Sequence, residues 1–463
     1  MTRITVVALT ILLYSTIAAG QDGLVVNQLQ PSLWREHFVS QRIYALRKEI
    51  ASGRTKTEPF WQEVTKEGTP LIEPSSEGQK HQLVTFLWRG TSETKSVLIV
   101  IDPYTYVRPQ DYLMRRVAMS DVWYLTVRMP RGARFIYRVS VNDHQAPEFF
   151  GDLKLGSSVQ ADPLNRHPWL GQSAVELPGA PAQPWLARNP SVPEGKVEHH
   201  RITSTLLSNE RDIWIYTPAD YQPTGPANAL LVLFDGSANL RLLSVPTILN
   251  NLLEASRIPP TVAIFVSNPG ASRMQELGEN PTFGDFLATE LIPWVRTRYN
   301  VTRDVHKTIV GGQSAGGWAA AYVALRHSEI FGGVLSQSAG FWSSTERGRE
   351  LAERTLATPR SDDRHVLEEI EDRGLTEGNW LQTQFINSNR LPLRFYMNAG
   401  SFEAQVFGGP GGVAGTLESN RHMRDVLRAK GYEVHYQEFV GGHDYLSWRG
   451  LFADGLIALL GKN

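Results

Sequence analysis

Apolar positions follow three different patterns along the chain. Over residues 31–52, Leu33, Trp34, Phe38, Ile43, Leu46 and Ile50 fall roughly on one stripe, which predicts a helix. Four short runs follow, at 81–88, 96–101, 122–128 and 134–141, each rich in Val, Ile, Tyr, Phe or Trp and bounded by turn residues. Such runs predict a small β-sandwich. Beyond residue 200 the texture is different again. Apolar, β-branched runs at 230–234, 261–266, 307–310, 333–335 and 393–397 alternate with helical stretches at 283–298, 315–326 and 417–430. Buried strands alternating with helices predict an α/β domain with a mostly parallel sheet covered on both faces. A charged, mainly helical insertion is expected over 341–392.

Between these two halves Pro178, Pro181, Pro184, Pro190 and Pro193 lie close together, which predicts an extended, semi-rigid stretch. The expected organisation is a leader at 1–20, a β-sandwich domain at 21–185, a linker at 186–196 and an α/β domain at 197–463. The leader is read from Arg3, the apolar stretch from Ile4 to Ile17 and the small residues Ala18, Ala19 and Gly20, the anatomy of a cleavable secretory signal. That stretch is short for a bilayer span, which needs about 20 residues. A periplasmic or secreted protein is expected, with no membrane association once the leader is removed.

Composition narrows the chemistry. The chain has 463 residues, no cysteine and a net charge of −1. Disulfides, thiolate metal sites and a cysteine nucleophile are excluded. No global basic field exists to hold nucleic acid, so attraction for an anion must come from local arginines. Glu198-His199-His200 has a metal-like look but lacks an evident third ligand and reads as part of a strand. The glycine-rich stretch Gly408–Gly415 lacks a Gly-Lys-Ser/Thr continuation and reads as a loop, so neither a metal nor another cofactor is expected.

The strongest local signal is Gly312-Gln313-Ser314-Ala315-Gly316, set between a strand-like run and a helix-prone one. A nucleophile elbow needs this context of strand, sharp turn and helix, and Ser314 is the candidate nucleophile of an α/β-hydrolase. The backbone N–H of Ala315 is one candidate oxyanion donor, and that of Gly236, after the run 230–234, is the other. A serine hydroxyl needs a base. His443 follows the strand-like run 433–440 and two glycines, and is the candidate. The third member of the triad should follow the penultimate strand. Glu403 sits there, with Asp444 as its competitor and a dyad without an acid as a further alternative.

At these residues the chain resembles the enterochelin esterase family, along nearly all of its length after the leader. The resemblance rests on Thr85-Phe86-Leu87-Trp88-Arg89-Gly90, Ala161-Asp162-Pro163-Leu164-Asn165 and His167-Pro168-Trp169 in the first half. In the second half it rests on Arg211-Asp212-Ile213-Trp214-Ile215-Tyr216, Arg273 with Glu276-Leu277, Leu335-Ser336-Gln337-Ser338, and Gly441-Gly442-His443-Asp444 with Trp448-Arg449-Gly450. It implies an immunoglobulin-like domain beside an esterase D-like α/β-hydrolase, and hydrolysis of the trilactone of a tricatecholate siderophore, with Ser314 and His443 as nucleophile and base. Such a substrate is small and, with iron bound, trianionic. Arg273 and Arg449 are expected to attract it, and Trp448, Trp342 or Phe402 to stack on its catechol rings. Two alternatives stand beside this reading: a carboxylesterase for feruloyl-type esters, and a binding protein that holds ferric siderophore without turnover.

Overall fold

The computed structural model describes residues 40–53, 56–75, 79–101, 109–145, 154–268, 272–341, 379–404 and 415–461. The expected leader, most of the 341–392 insertion, Trp342 and the glycines at 408–412 lie outside the described residues. So do Leu33, Trp34 and Phe38 of the first predicted helix. The remainder of that helix is Gln41–Ala51, which starts where the Ser40 hydroxyl accepts a hydrogen bond from the Ile43 N–H. Its Ile43 and Leu46 pack with Trp61 and Val64 of a second helix, Glu58–Glu67, onto Leu71 and Leu87.

The first domain holds two antiparallel four-stranded sheets. One runs in the order Leu71–Pro74, His81–Arg89, Val122–Pro130, Arg115–Arg116, and the other Val97–Val100, Arg134–Val141, Gln172–Glu176, Pro168–Trp169. Val84, Phe86 and Val127 of one sheet share a core with Val97, Ile99, Phe135 and Tyr137 of the other. This is a β-sandwich, as the four short, turn-bounded runs predict.

The second domain is built on an eight-stranded sheet. Its order is Lys196–Ser204, Asn209–Thr217, Thr261–Val266, Ala229–Leu233, Thr308–Gln313, Gly333–Gln337, Arg394–Gly400 and Glu433–Phe439. The first two strands join antiparallel and the rest run parallel. Adjacent side chains of a strand point to opposite faces, so one strand feeds two cores. Leu230 and Val232 meet Phe283, Phe286, Val323 and Phe331. Leu231 and Leu233 meet Ile248, Leu252, Phe452 and Leu456 on the other side.

The helix predicted at 283–298 begins earlier, at Pro281, because the Asn280 side chain caps it by accepting from the Phe283 N–H. It then passes through a π-helical segment, Leu287–Leu291, before continuing as Ile292–Arg296. Pro293 supplies no N–H to the ladder there, and a widened turn accommodates the gap.

Candidate active site

Ser314 stands between the strand Thr308–Gln313 and the helix Ala315–Arg326, with φ 58° and ψ −123°. That backbone is costly for any residue with a Cβ, and it is held by the Ser314 N–H donating to the Gln337 carbonyl at 2.9 Å. The turn is tight enough that a Cβ on Gly312 would lie 2.7 Å from the Gly316 carbonyl carbon, so glycine is required there. Ala315 is the first residue of the helix, where an amide has no acceptor within the helix and the dipole favours negative charge.

His443 arrives on the loop after Glu433–Phe439, and its Nε2 lies 2.9 Å from the Ser314 hydroxyl. Its Nδ1 lies 3.4 Å from Oε2 of Glu403, which follows the strand Arg394–Gly400 in a short turn. Glu403 is fully buried. Its other oxygen, Oε1, accepts from the Ser338 hydroxyl at 2.7 Å and from the Gly400 N–H at 3.1 Å. Asp444, the alternative acid, caps the helix Tyr445–Leu460 by accepting from the Ser447 N–H at 2.8 Å. Burial pushes its carboxyl up to about 7 against the opposing pull of that hydrogen bond. Glu403, rather than Asp444, is thus the carboxylate brought to the imidazole.

The expected oxyanion donor Gly236 opens a short helix after Asp235, whose φ is 53°. Among the described residues the Asp235 carboxylate pairs with a side chain rather than with loop amides. It takes both Nε and Nη2 of Arg273, at 2.6 and 2.7 Å, beside the elbow: a Cβ on Gly316 would lie 3.5 Å from its Oδ2. Burial works against the Arg273 charge, but the bond to Asp235 outweighs it and holds the guanidinium above its ordinary value. Tyr445 lies within electrostatic reach of the pair, and burial pushes its hydroxyl up to about 12. Glu276 does not pair with Arg273. It forms a buried two-bond ion pair with Arg211, at 3.0 and 2.6 Å.

Three expected substrate contacts are placed elsewhere. Trp448 offers no open face to a catechol: it is buried, gives its indole N–H to the Ser338 hydroxyl at 2.8 Å, and sets its ring edge-on to His443 at 4.8 Å. Arg449 is one residue further round the helix and therefore points away, toward the β-sandwich. Its Nε meets Gln183 at 3.0 Å and its guanidinium lies over Trp169, and burial, then the nearby Arg134, lowers its pKa. Phe402 likewise turns toward the sandwich, edge-on to Phe135 at 6.4 Å.

With this geometry in view, the relatives decide the class. The family described as "Putative esterase" matches residues 204–459, more than half of the chain. The chain belongs to that family. The esterase also carries, at residues 83–186, a match to the family described as "Enterochelin esterase, N-terminal". It is similar to the iron(III) enterobactin esterase of Dickeya dadantii, at 28% identity over 89% of this chain and 94% of that protein. It is similar also to the iron(III) salmochelin esterase of Escherichia coli, at 26% identity over 90% of this chain and 98% of the relative. Among solved structures, the ferric enterobactin esterase of Salmonella typhimurium superposes with a TM-score of 0.67 at 26% identity, covering 87% of this chain and 98% of that one. The Shigella flexneri enterobactin esterase, solved in the presence of enterobactin, gives 0.64 at 26% identity over 87% and 97%. The enzyme is a carboxylic ester hydrolase.

Several side chains that hold this esterase's site together had no role assigned from sequence: Ser338, Gln337, Gln313 and Asn239. Beneath the elbow the Gln313 side chain donates to Gln337 at 3.2 Å, and Gln337 donates to the Trp448 carbonyl at 3.0 Å. On the other side the Asn239 amide donates to the Phe234 carbonyl at 2.6 Å. Buried amides thus tie the elbow strand to the helix that follows His443. For Gln337 and Ser338 the signal was the run Leu335-Ser336-Gln337-Ser338, polar where a buried strand is expected to be apolar.

Glu198-His199-His200 lies in the strand Lys196–Ser204, where His199 meets Asp212 and His200 meets the Tyr299 hydroxyl. Among the described residues no three His, Asp or Glu side chains gather as a metal site, and no helix is long and apolar enough to cross a membrane.

Proposed function

We propose that this esterase opens the trilactone of a tricatecholate siderophore and thereby releases its iron. The observation that carries the reading is the match to the enterochelin esterase N-terminal family in the same chain as a serine placed 2.9 Å from a histidine. The relatives of the same two-part length act, by their names, on enterobactin and salmochelin.

In this reading Ser314 Oγ attacks a lactone carbonyl while His443 Nε2 takes its proton, and Glu403 steadies the imidazolium through Nδ1. The N–H groups of Ala315 and Gly236 hold the oxyanion. The seryl alkoxide leaves with the proton from His443, and a water deprotonated by His443 then releases the acyl group from Ser314. Arg273, beside the elbow, is a cation available to a catecholate oxygen. Asp235 already neutralises much of its charge, so its part is to orient the substrate by hydrogen bonding more than to draw it in. The reading includes export: residues 1–20 act as a cleaved signal, which N-terminal sequencing of the exported protein checks.

The test is mass-spectrometric product analysis with ferric enterobactin. Wild type is expected to yield linear dihydroxybenzoylserine trimer, dimer or monomer, and Ser314→Ala to be slower by several orders of magnitude. Intact enterobactin, with turnover of a simple aryl ester, would keep the esterase and discard the siderophore. Full activity of Ser314→Ala would remove Ser314 from the mechanism.

A further inference from the structure

The loop that carries His443 is not held by its own domain alone. Before the histidine, the Val440 carbonyl accepts from the N–H of Arg134 at 3.2 Å, and Gly441 and Arg134 form a parallel bridge. After the histidine, the Ser447 hydroxyl donates to the Arg134 carbonyl at 3.1 Å, and the Leu446 carbonyl accepts from the Gln183 amide at 3.0 Å. Arg134 begins a strand of the β-sandwich and Gln183 lies in the segment leaving it. The fit is close: a Cβ on Gly441 would lie 2.9 Å from the Arg134 carbonyl oxygen and 2.8 Å from the Ser447 hydroxyl. Arg134 is fixed in turn by Glu176 at 3.1 Å and the Pro181 carbonyl at 2.7 Å. The acid's turn is joined to the same surface, because the Phe402 N–H donates to the Gly441 carbonyl at 3.1 Å and its ring meets Phe135.

We infer that the β-sandwich is a positioning element for catalysis, bracketing His443 on both sides through the main chain of Arg134 and the side chain of Gln183, with Ser447 completing the bracket. This rests on the reading of Ser314 and His443 as the catalytic pair. The bracket fixes where the loop enters and leaves the 440–447 segment, and so fixes the imidazole between Ser314 and Glu403. A misplacement of about 1 Å at such a site can cost about 100-fold in rate, so a few hydrogen bonds remote from the substrate are enough to matter. The consequence is independent of substrate size: hydrolysis of a small aryl ester should also depend on Gln183 and Ser447.

The experiment uses the full chain carrying Gln183→Ala, Ser447→Ala and both. Two rates are read: steady-state hydrolysis of p-nitrophenyl acetate, and inactivation by a fluorophosphonate, in which Ser314 Oγ attacks phosphorus, fluoride leaves and His443 takes the proton. We expect kcat for the double variant to fall about tenfold with KM within about twofold, and phosphonylation to slow in parallel. If the double variant does not fold, the single variants decide, each expected at about a threefold loss. Unchanged kcat and phosphonylation, with only a lower melting temperature, would overturn the inference by making the contacts structural. A raised KM with unchanged kcat would overturn it in favour of a binding role for the sandwich. Ser314→Ala is the separate control: if it reacts with the phosphonate as fast as wild type, the catalytic pair itself is wrong.

Discussion

Ser338 has a φ of 47°, and the strain buys a hydroxyl that serves two buried partners at once. It donates to Glu403 and accepts from Trp448, so the carboxylate facing His443 and the indole edge beside it are set by one oxygen. Removing that oxygen leaves a buried indole N–H without an acceptor and Glu403 Oε1 with the Gly400 N–H alone, a loss of about 1–3 kcal/mol in stability. In Ser338→Ala the carboxylate is free to turn from Nδ1, so kcat should fall about tenfold while KM for a small ester stays within about twofold. Steady-state kinetics alongside a thermal melt check this. Unaltered kcat with a lower melting temperature would reduce Ser338 to a packing role.

At the level of elements, what could be read from sequence depended on whether a pattern was periodic. The sandwich strands and the buried parallel strands stand out because their runs are apolar and their flanks are turns, and the helix Ala315–Arg326 matches the range expected. Ser314, His443 and Glu403 were legible for a related reason: each sits at the end of a strand where the fold delivers chemistry, and the three do meet. The helix Tyr445–Leu460 was not foreseen. It is buried on most of its circumference and so has no stripe, and it contains Gly450 and Gly455, which argue against a helix on propensity. The misjudged roles of Trp448 and Arg449 follow from that omission, since only a helix starting at Tyr445 turns one toward His443 and the other toward the sandwich. Gly455 also yields a prediction. A Cβ there would lie 2.7 Å from the Tyr396 ring and 3.0 Å from Leu335, so the glycine lets the helix lie against the sheet. Gly455→Ala would gain about 1 kcal/mol in an isolated helix. Here overpacking at about 1–3 kcal/mol opposes it, and a melting temperature lower than wild type is expected. A higher one would mean that Tyr396 and Leu335 yield freely.

Across the whole molecule, the two domains are joined by more than a linker. Trp185 and Leu186 pack against the core formed by Leu231, Phe452 and Leu456, and the Asn251 amide holds the carbonyls of Trp185 and Ala187 at 2.8 and 3.0 Å. In the other direction Phe402 and Val440 of the hydrolase pack against the sandwich core. Each domain therefore completes apolar surface belonging to the other, through Trp185 and Leu186 of a stretch whose prolines are themselves exposed. Loosely tethered domains unfold independently, whereas domains that share core contacts lose part of their own stability when the neighbour melts. A single calorimetric transition is expected, with esterase activity lost along the same curve as the far-ultraviolet signal. Two resolved transitions, with activity following only the later one, would show that the hydrolase keeps His443 in place after the sandwich has melted. That outcome would count against the bracket around His443 as well as against the shared cores. If the single transition is seen, the same contacts that make unfolding cooperative also keep the sandwich seated on the catalytic loops.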